Sequence, residues 1–314
     1  MLRRDFVQRV GAFGLLASAA SAGGATAATV TAPQAAAEPP PAAPLTAPPG
    51  GTIPVAFLVS EGAVVIDFCG PWEVFQDVAM PGGADSAFAL YTVAETTAPV
   101  RVSGGLRIVP DYSLQTAPAP KVLVIPAQSG ASEPLLEWIR QASRTTDVTM
   151  SVCNGAFLLA STGLLTGRAA TAHHAAYGAL AMAFPDVRVQ RGVRFVEDGR
   201  FASAGGLSSG IDLALHVVER YFGREVARRT AYGMEYQGLG WLHPESNAVY
   251  AAAPVSVGPQ HLCPVCLMDV DPASAPRSDY QSKTYYFCTP AHRQRFDATP
   301  ARFVERLENA VTHG

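Results

Sequence analysis

The sequence lacks any excess of positive charge. Its 314 residues carry 23 Lys and Arg against 26 Asp and Glu, a formal charge of −3. Without a basic surplus there is nothing to neutralise a run of phosphates, which speaks against a nucleic-acid partner. Long apolar runs are missing too: none reaches the roughly 20 residues that a membrane-spanning helix needs. Cysteine is scarce, with five residues at positions 69, 153, 263, 266 and 288. What remains is 48% hydrophobic and 16% charged, the balance of a globular chain with ample core. The length suits one large domain and one small one.

Residues 1–27 read as a signal peptide outside the fold. Arg3-Arg4-Asp5-Phe6-Val7 is a twin-arginine pattern, Val10 to Ala20 is weakly apolar, and Ala25-Thr26-Ala27 is a small-residue cleavage signal. The expectation is an exported, periplasmic bacterial protein. Loss of Arg3, Arg4, Arg9 and Asp5 leaves 20 basic and 25 acidic residues, a charge near −5. Residues 28–51, nearly all Ala, Pro and Thr, read as a linker of polyproline character that packs no core.

From residue 52 to 238 apolar runs alternate with helical patterns. Ile53 to Ser60, Phe88 to Ala94, Lys121 to Pro126 and Val148 to Val152 read as buried strands, and Val100 to Val109 as a hairpin turning at Ser103-Gly104-Gly105. Pro71 suggests a helix starting there, with Asp67 close to its N-terminus. Glu133 to Ser143 is helical, and so is the stretch from Ser209 to Phe222, where Ser209 and Asp212 have the spacing of a capping box. Strands alternating with helices predict an α/β fold: a mostly parallel, flavodoxin-like sheet with helices on both faces.

The chemistry centres on Val148 to Thr166. A strand turning sharply into a helix leaves the junction residue, Cys153, above the sheet edge, and Asn154-Gly155-Ala156 keeps the approach open. The helix N-terminus should favour the thiolate and lower its pKa. The bland alternative is a buried structural cysteine. Asp67 falls at the carboxyl end of the first strand, where open α/β sheets bind ligands. Its bland alternative is an ordinary N-cap. His173 and His174 follow a further strand and have hydrogen-bonded packing as their alternative. His216 sits within an amphipathic helix and reads as structural.

Asp67-Phe68-Cys69-Gly70-Pro71-Trp72-Glu73-Val74-Phe75, Ser151 to Ala160, Gly163 to His173 and Gly206 to Gly223 resemble the ThiJ/PfpI superfamily, which is class I glutamine-amidotransferase-like. The match is best to the branch with isonitrile hydratase and the amidase-like domain of AraC-type regulators. The resemblance implies Cys153 as nucleophile, Asp67 as its acid and His173 as a nearby histidine. It also implies a backbone oxyanion hole after the third buried strand, at Ala127 or Gln128, with Asn154 and Gly155 lining the substrate site. Protease-like members carry histidine directly after the cysteine; here Asn154 stands there, so no such Cys–His dyad is expected. No cofactor is expected in this domain, the substrate is a small molecule, and a homodimer is implied by resemblance. The AraC-type regulators add a helix-turn-helix; none is expected here, and the acidic balance and export pattern read against regulation of DNA.

Residues 239–259 read as a second linker and 260–310 as a small module. Cys263-x2-Cys266, twenty-one residues, then Cys288-x3-His292 is a metal-ligand spacing. Three thiolates and an imidazole suit tetrahedral zinc, and soft thiolates also suit copper. A module this small usually needs a metal or disulfide staple. A Cys263–Cys266 disulfide is the competing reading. The segment resembles a YHS domain: Cys266-Leu267-Met268 stands for its Cys-Gly-Met, and Tyr285-Tyr286-Phe287-Cys288 matches its Tyr-Tyr-Phe-Cys. Three functions follow as expectations. One is an exported cysteine-dependent hydratase or amidase with a metal module. Another is a periplasmic metal-binding or metal-sensing protein on a non-catalytic scaffold. The third is a thiol-based detoxification protein acting on reactive carbonyls.

Overall fold

A computed structural model describes residues 43–48, 51–78, 80, 87–251, 261–265, 269–270, 272–273, 275–304 and 307. The signal-peptide expectation at 1–27 and the ligand expectation at Cys266 lie outside the described residues.

The chain begins with β1 (Ile53–Leu58), α1 (Val65–Gln76) and β2 (Phe88–Ala94). A hairpin of β3 (Val100–Arg101) and β4 (Arg107–Ile108) turns through Ser103–Gly105 as the sequence predicts. Next come β5 (Tyr112–Ser113), β6 (Val122–Ile125), α2 (Glu133–Ala142), β7 (Val148–Val152) and α3 (Gly155–Ser161). After β8 (Ala169–Ala170) follow α4 (Tyr177–Ala183), β9 (Arg188–Val189), β10 (Phe195–Asp198), β11 (Phe201–Ala204), α5 (Ser209–Phe222) and α6 (Arg224–Gly233).

Seven strands form one sheet in the order β10-β11-β7-β6-β1-β2-β5. Every pair is parallel except β10 with β11. The central strands are apolar throughout because both faces are covered. Val55 and Phe57 of β1 face one core with Phe68 and Phe75 of α1 and Leu213 and Val217 of α5. Ala56 and Leu58 face the other, with Leu135 and Ile139 of α2 and Leu158 and Leu159 of α3. Phe57, Phe75 and Phe88 are fully or almost fully buried, and each contributes on the order of 2–3 kcal/mol of apolar burial. Among the described residues no helix is long and apolar enough to cross a membrane.

Three local expectations are corrected. First, α1 starts at Val65, six residues before Pro71, so Asp67 lies in its first turn instead of capping it. Second, Ser209 and Asp212 form no capping box: the N-cap of α5 is Ser208 without a side-chain cap, and the Asp212 carboxylate turns to Arg194 instead. Third, the linkers are not wholly free. Leu45 and Ala47 pack on the first core, and the Leu45 N–H donates to Arg220 O at 2.7 Å. Beyond residue 239, Trp241 and Leu242 are buried and Pro244–Tyr250 forms a 3-10 turn.

In the module, β12 (His261–Leu262) pairs with β13 (Asp269–Val270), and β14 (Arg277–Tyr280) with β15 (Lys283–Tyr286). Gln281 and Ser282 both take positive φ, at 50° and 64°, as a two-residue hairpin turn requires. α7 (Pro290–Ala298) is capped by the Thr289 hydroxyl, which accepts from the His292 N–H. Phe287 and Phe296 centre the module's core, against which Ala179 and Met182 of α4 also pack.

Candidate active site

Cys153 follows the last residue of β7, a strand buried at every position. Its φ is +57°, a conformation that non-glycine residues seldom adopt and that marks a strained elbow. The elbow is pinned from the neighbouring parallel strand: the Cys153 N–H donates to Ala204 O at 3.1 Å and Gly205 O at 2.9 Å. Gly155 is required by packing: a Cβ there would fall 2.1 Å from Ile125 O and 2.8 Å from Pro126 O. Close packing thus accounts for Gly155 independently of substrate access.

Cys153 is 7% exposed and Asp67 fully buried. The Ala127 N–H donates to Asp67 Oδ2 at 3.1 Å, and Oδ1 has no hydrogen-bond partner among the described residues. Burial, opposed by the Ala127 hydrogen bond, pushes the Asp67 carboxyl up to about 7. The thiol moves the same way: burial first, then the charge of Asp67, push Cys153 up to about 11. Backbone N–H groups of Asn154 and Leu207 act in the opposite direction. The expected depressed thiol is therefore overturned. α3 has only seven residues, and desolvation beside a carboxylate outweighs the field of its N-terminus.

The oxyanion expectation changes with it. The Ala127 N–H is committed to Asp67. Gln128 ties two loops through its side chain, with Oε1 accepting from the Ser60 N–H at 2.7 Å. The backbone N–H groups that favour the sulfur anion belong to Asn154, which the sequence reading placed only in the lining of the substrate site, and to Leu207. Leu207 was not anticipated; its signal was the Gly205-Gly206 pair closing a strand that runs parallel to β7. It has a φ of +47°.

His173 stands over the same loop. A Cβ on Gly206 would lie 2.5 Å from His173 Cδ2. Its Nδ1 accepts from the Ala175 N–H at 3.3 Å, and its ring is 4.2 Å from that of His174, which stacks on Tyr250 at 4.8 Å. Burial, then the neighbouring His174, lower its pKa. No hydrogen bond joins His173 to Cys153 among the described residues, so it borders the site without being paired to the nucleophile. His216 is structural as expected, its Nε2 2.7 Å from Glu197 Oε2.

In the module, the residue after β12, the segment after β15 and the first turn of α7 bring three expected ligands together. Cys288 Sγ lies 3.1 Å from His292 Nδ1 and 3.9 Å from Cys263 Sγ, and Cys263 Sγ lies 3.7 Å from His292 Nδ1. With metal–sulfur bonds of about 2.3 Å, the sulfur–sulfur edge of a tetrahedral site is about 3.8 Å, which the Cys263–Cys288 separation of 3.9 Å matches, so the donor types and their grouping suit a soft-metal ion.

The DJ-1/PfpI family profile matches residues 54–220, more than half of the chain. The chain belongs to the DJ-1/PfpI family. This member is 28% identical to isonitrile hydratase of Pseudomonas putida, over 58% of this chain and 78% of that protein. It is 26% identical to the HTH-type transcriptional regulator GbdR of Pseudomonas aeruginosa, over 55% of this chain, and spans only 48% of that regulator. Among solved structures, a ThiJ/PfpI family protein from Pseudomonas syringae superposes with a TM-score of 0.54 at 23% identity, covering 83% of this chain and 91% of that one. Drosophila melanogaster DJ-1beta gives 0.52 at 17% identity, over 60% of this chain and 100% of that one. Both likenesses concern the fold, and the family fold is the flavodoxin-like, mostly parallel sheet expected from the sequence.

Proposed function

We propose that this DJ-1/PfpI member hydrates a small isonitrile to an N-substituted formamide. The observation that carries the reading is a cysteine on a strained elbow that feels the charge of a fully buried carboxyl, one oxygen of which has no partner among the described residues. The likeness to isonitrile hydratase supports it. The low exposure of Cys153 favours a slim substrate whose reacting atom is terminal.

The chemistry follows from the two groups. The Cys153 thiol adds to the terminal carbon of the isonitrile, forming an S–C bond. Its proton, relayed by Asp67, ends on that carbon and leaves a thioimidate. Water then adds across the C=N bond, hydroxyl to carbon and proton to nitrogen. The C–S bond breaks, the hydroxyl proton returns to sulfur through Asp67, and the formamide leaves. One water is consumed and nothing is oxidised or reduced. An acid whose pKa sits at about 7 can both accept and release protons at neutral pH. The Asn154 and Leu207 N–H groups stabilise the sulfur anion as it forms.

The module adds a second part to the proposal. Cys263, Cys288 and His292, with Cys266 as fourth ligand, hold zinc or copper as a structural centre, and the mutual distances of the three support this. Residues 1–27 direct twin-arginine export to the periplasm, on the sequence pattern alone. A ¹³C-labelled aliphatic isonitrile incubated with the protein should yield labelled formamide by NMR. Cys153→Ala should yield none; equal turnover by that variant would remove the cysteine from the reaction.

A further inference from the structure

The loop that supplies the Leu207 N–H is held from both sides by one half-buried arginine, Arg194. The backbone of Arg194 accepts from the Gly205 N–H at 2.8 Å. Its side-chain Nη2 donates to Ser208 Oγ at 3.2 Å. Leu207, left-handed at φ +47°, lies between these two anchors. Gly205 is also the residue whose carbonyl receives the Cys153 N–H.

Arg194 is itself fixed. Its Nε donates to Asp212 Oδ2 at 2.7 Å, and its Nη2 donates to the same oxygen. Asp212 is fully buried and the Arg194 side chain 17% exposed. The Tyr236 hydroxyl donates to Asp212 Oδ1 at 3.1 Å, and the Trp241 N–H also reaches the carboxylate. The segment after α6 closes over the pair: a Cβ on Gly240 would lie 2.6 Å from Asp212 Oδ2 and 2.8 Å from Arg194 Nε. Nothing in this arrangement touches the reacting sulfur. A buried ion pair is weak support for stability as such, because its desolvation offsets its attraction; its geometry here serves a loop.

We propose that Arg194 and Asp212 are positioning residues that hold the Gly205–Ser208 loop, whose Gly205 carbonyl pins the Cys153 N–H at 2.9 Å, so that the Leu207 N–H in the same loop stays on the side of the Cys153 sulfur. The fork of the guanidinium matters because it spans two partners in fixed geometry, Asp212 on one side and Ser208 on the other. The inference rests on Cys153 as the reactive group, but not on the isonitrile chemistry. The other groups that bear on the thiol are Asp67 on α1 and the Asn154 N–H; His173 stands over Gly206 of the same loop.

The test is the pH profile of Cys153 alkylation by iodoacetamide, read by mass spectrometry on the peptide containing Cys153. Arg194→Gln should raise the midpoint by about one pH unit, about tenfold less thiolate at a given pH below it. Its limiting rate at high pH should be unchanged. Arg194→Lys, which keeps the charge and loses the fork, should recover only part of the shift. Ser208→Ala leaves the buried pair intact and removes one anchor; it should shift the midpoint in the same direction by less, and it decides the matter if Arg194→Gln does not fold. An unchanged midpoint in a folded Arg194→Gln or in Ser208→Ala, whatever happens to thermal stability, overturns the proposal. A shifted midpoint in a protein that hydrates no isonitrile leaves the positioning role standing and removes the proposed reaction instead.

Discussion

Replacing Asp67 by asparagine should change how stability depends on pH in a way calculable from the site. The folded pKa is about 7 against an ordinary 3.8, so the folded state holds this proton more tightly than the unfolded chain. A raised acid destabilises as pH rises. Below about pH 4 both states are protonated and there is no penalty. Between 4 and 7 the unfolded chain ionises while the buried group resists, and above 7 the penalty levels off. A shift of about three pH units at about 1.4 kcal/mol each gives roughly 4 kcal/mol across the window. The side-chain amide of the Asp67→Asn variant keeps an acceptor for the Ala127 N–H and loses the titration. Guanidinium unfolding of both proteins at pH 4, 6 and 8 isolates the effect, because groups that do not feel Asp67 cancel in the difference and Cys153, pushed up to about 11, titrates above this window. The variant should gain on the wild type by about 4 kcal/mol between pH 4 and pH 8. A difference that stays flat with pH would refute the claim that burial holds this carboxyl near neutrality.

Other outcomes follow from single contacts. Gly155→Ala should cost about 3 kcal/mol or more in denaturant unfolding, because the new methyl would meet backbone carbonyls at the end of β6; a cost under about 1 kcal/mol would mean that the elbow yields. Cys288→Ala should abolish stoichiometric zinc or copper in elemental analysis of the purified protein, and a chelator should lower the melting of the module alone; full metal content in the variant would move the site elsewhere. Asp67→Asn should also bring the Cys153 alkylation midpoint down from its raised position, since the carboxylate charge is one of the two causes that push the thiol up; an unmoved midpoint would leave burial as the sole cause.

Much of this architecture was legible because it rests on local pattern. The apolar run at Ile53 can be satisfied only by a strand covered on both sides. The strand–cysteine–small-residue order from Val148 announces an elbow because few other conformations accommodate it. What stayed hidden depends on contacts distant in sequence. The Ala127 N–H is lost to the oxyanion role through a carboxylate sixty residues earlier in the chain. Asp212 has the spacing of a cap to Ser209, yet an arginine eighteen residues away claims it. The direction of the thiol's pKa turned on burial, which no motif encodes, and a helix-terminus argument taken alone pointed the wrong way. Leu45 in the Ala/Pro-rich stretch packs because α5 ends beside it, a fact of topology and not of composition.

The most direct test of the account measures two rates on the Asp67→Asn protein: iodoacetamide alkylation of Cys153 and formamide production from an isonitrile. If the buried carboxyl relays the proton, alkylation persists while formamide production falls by about 10²–10⁴-fold. Formamide production at the wild-type rate in that variant would contradict the account at its centre.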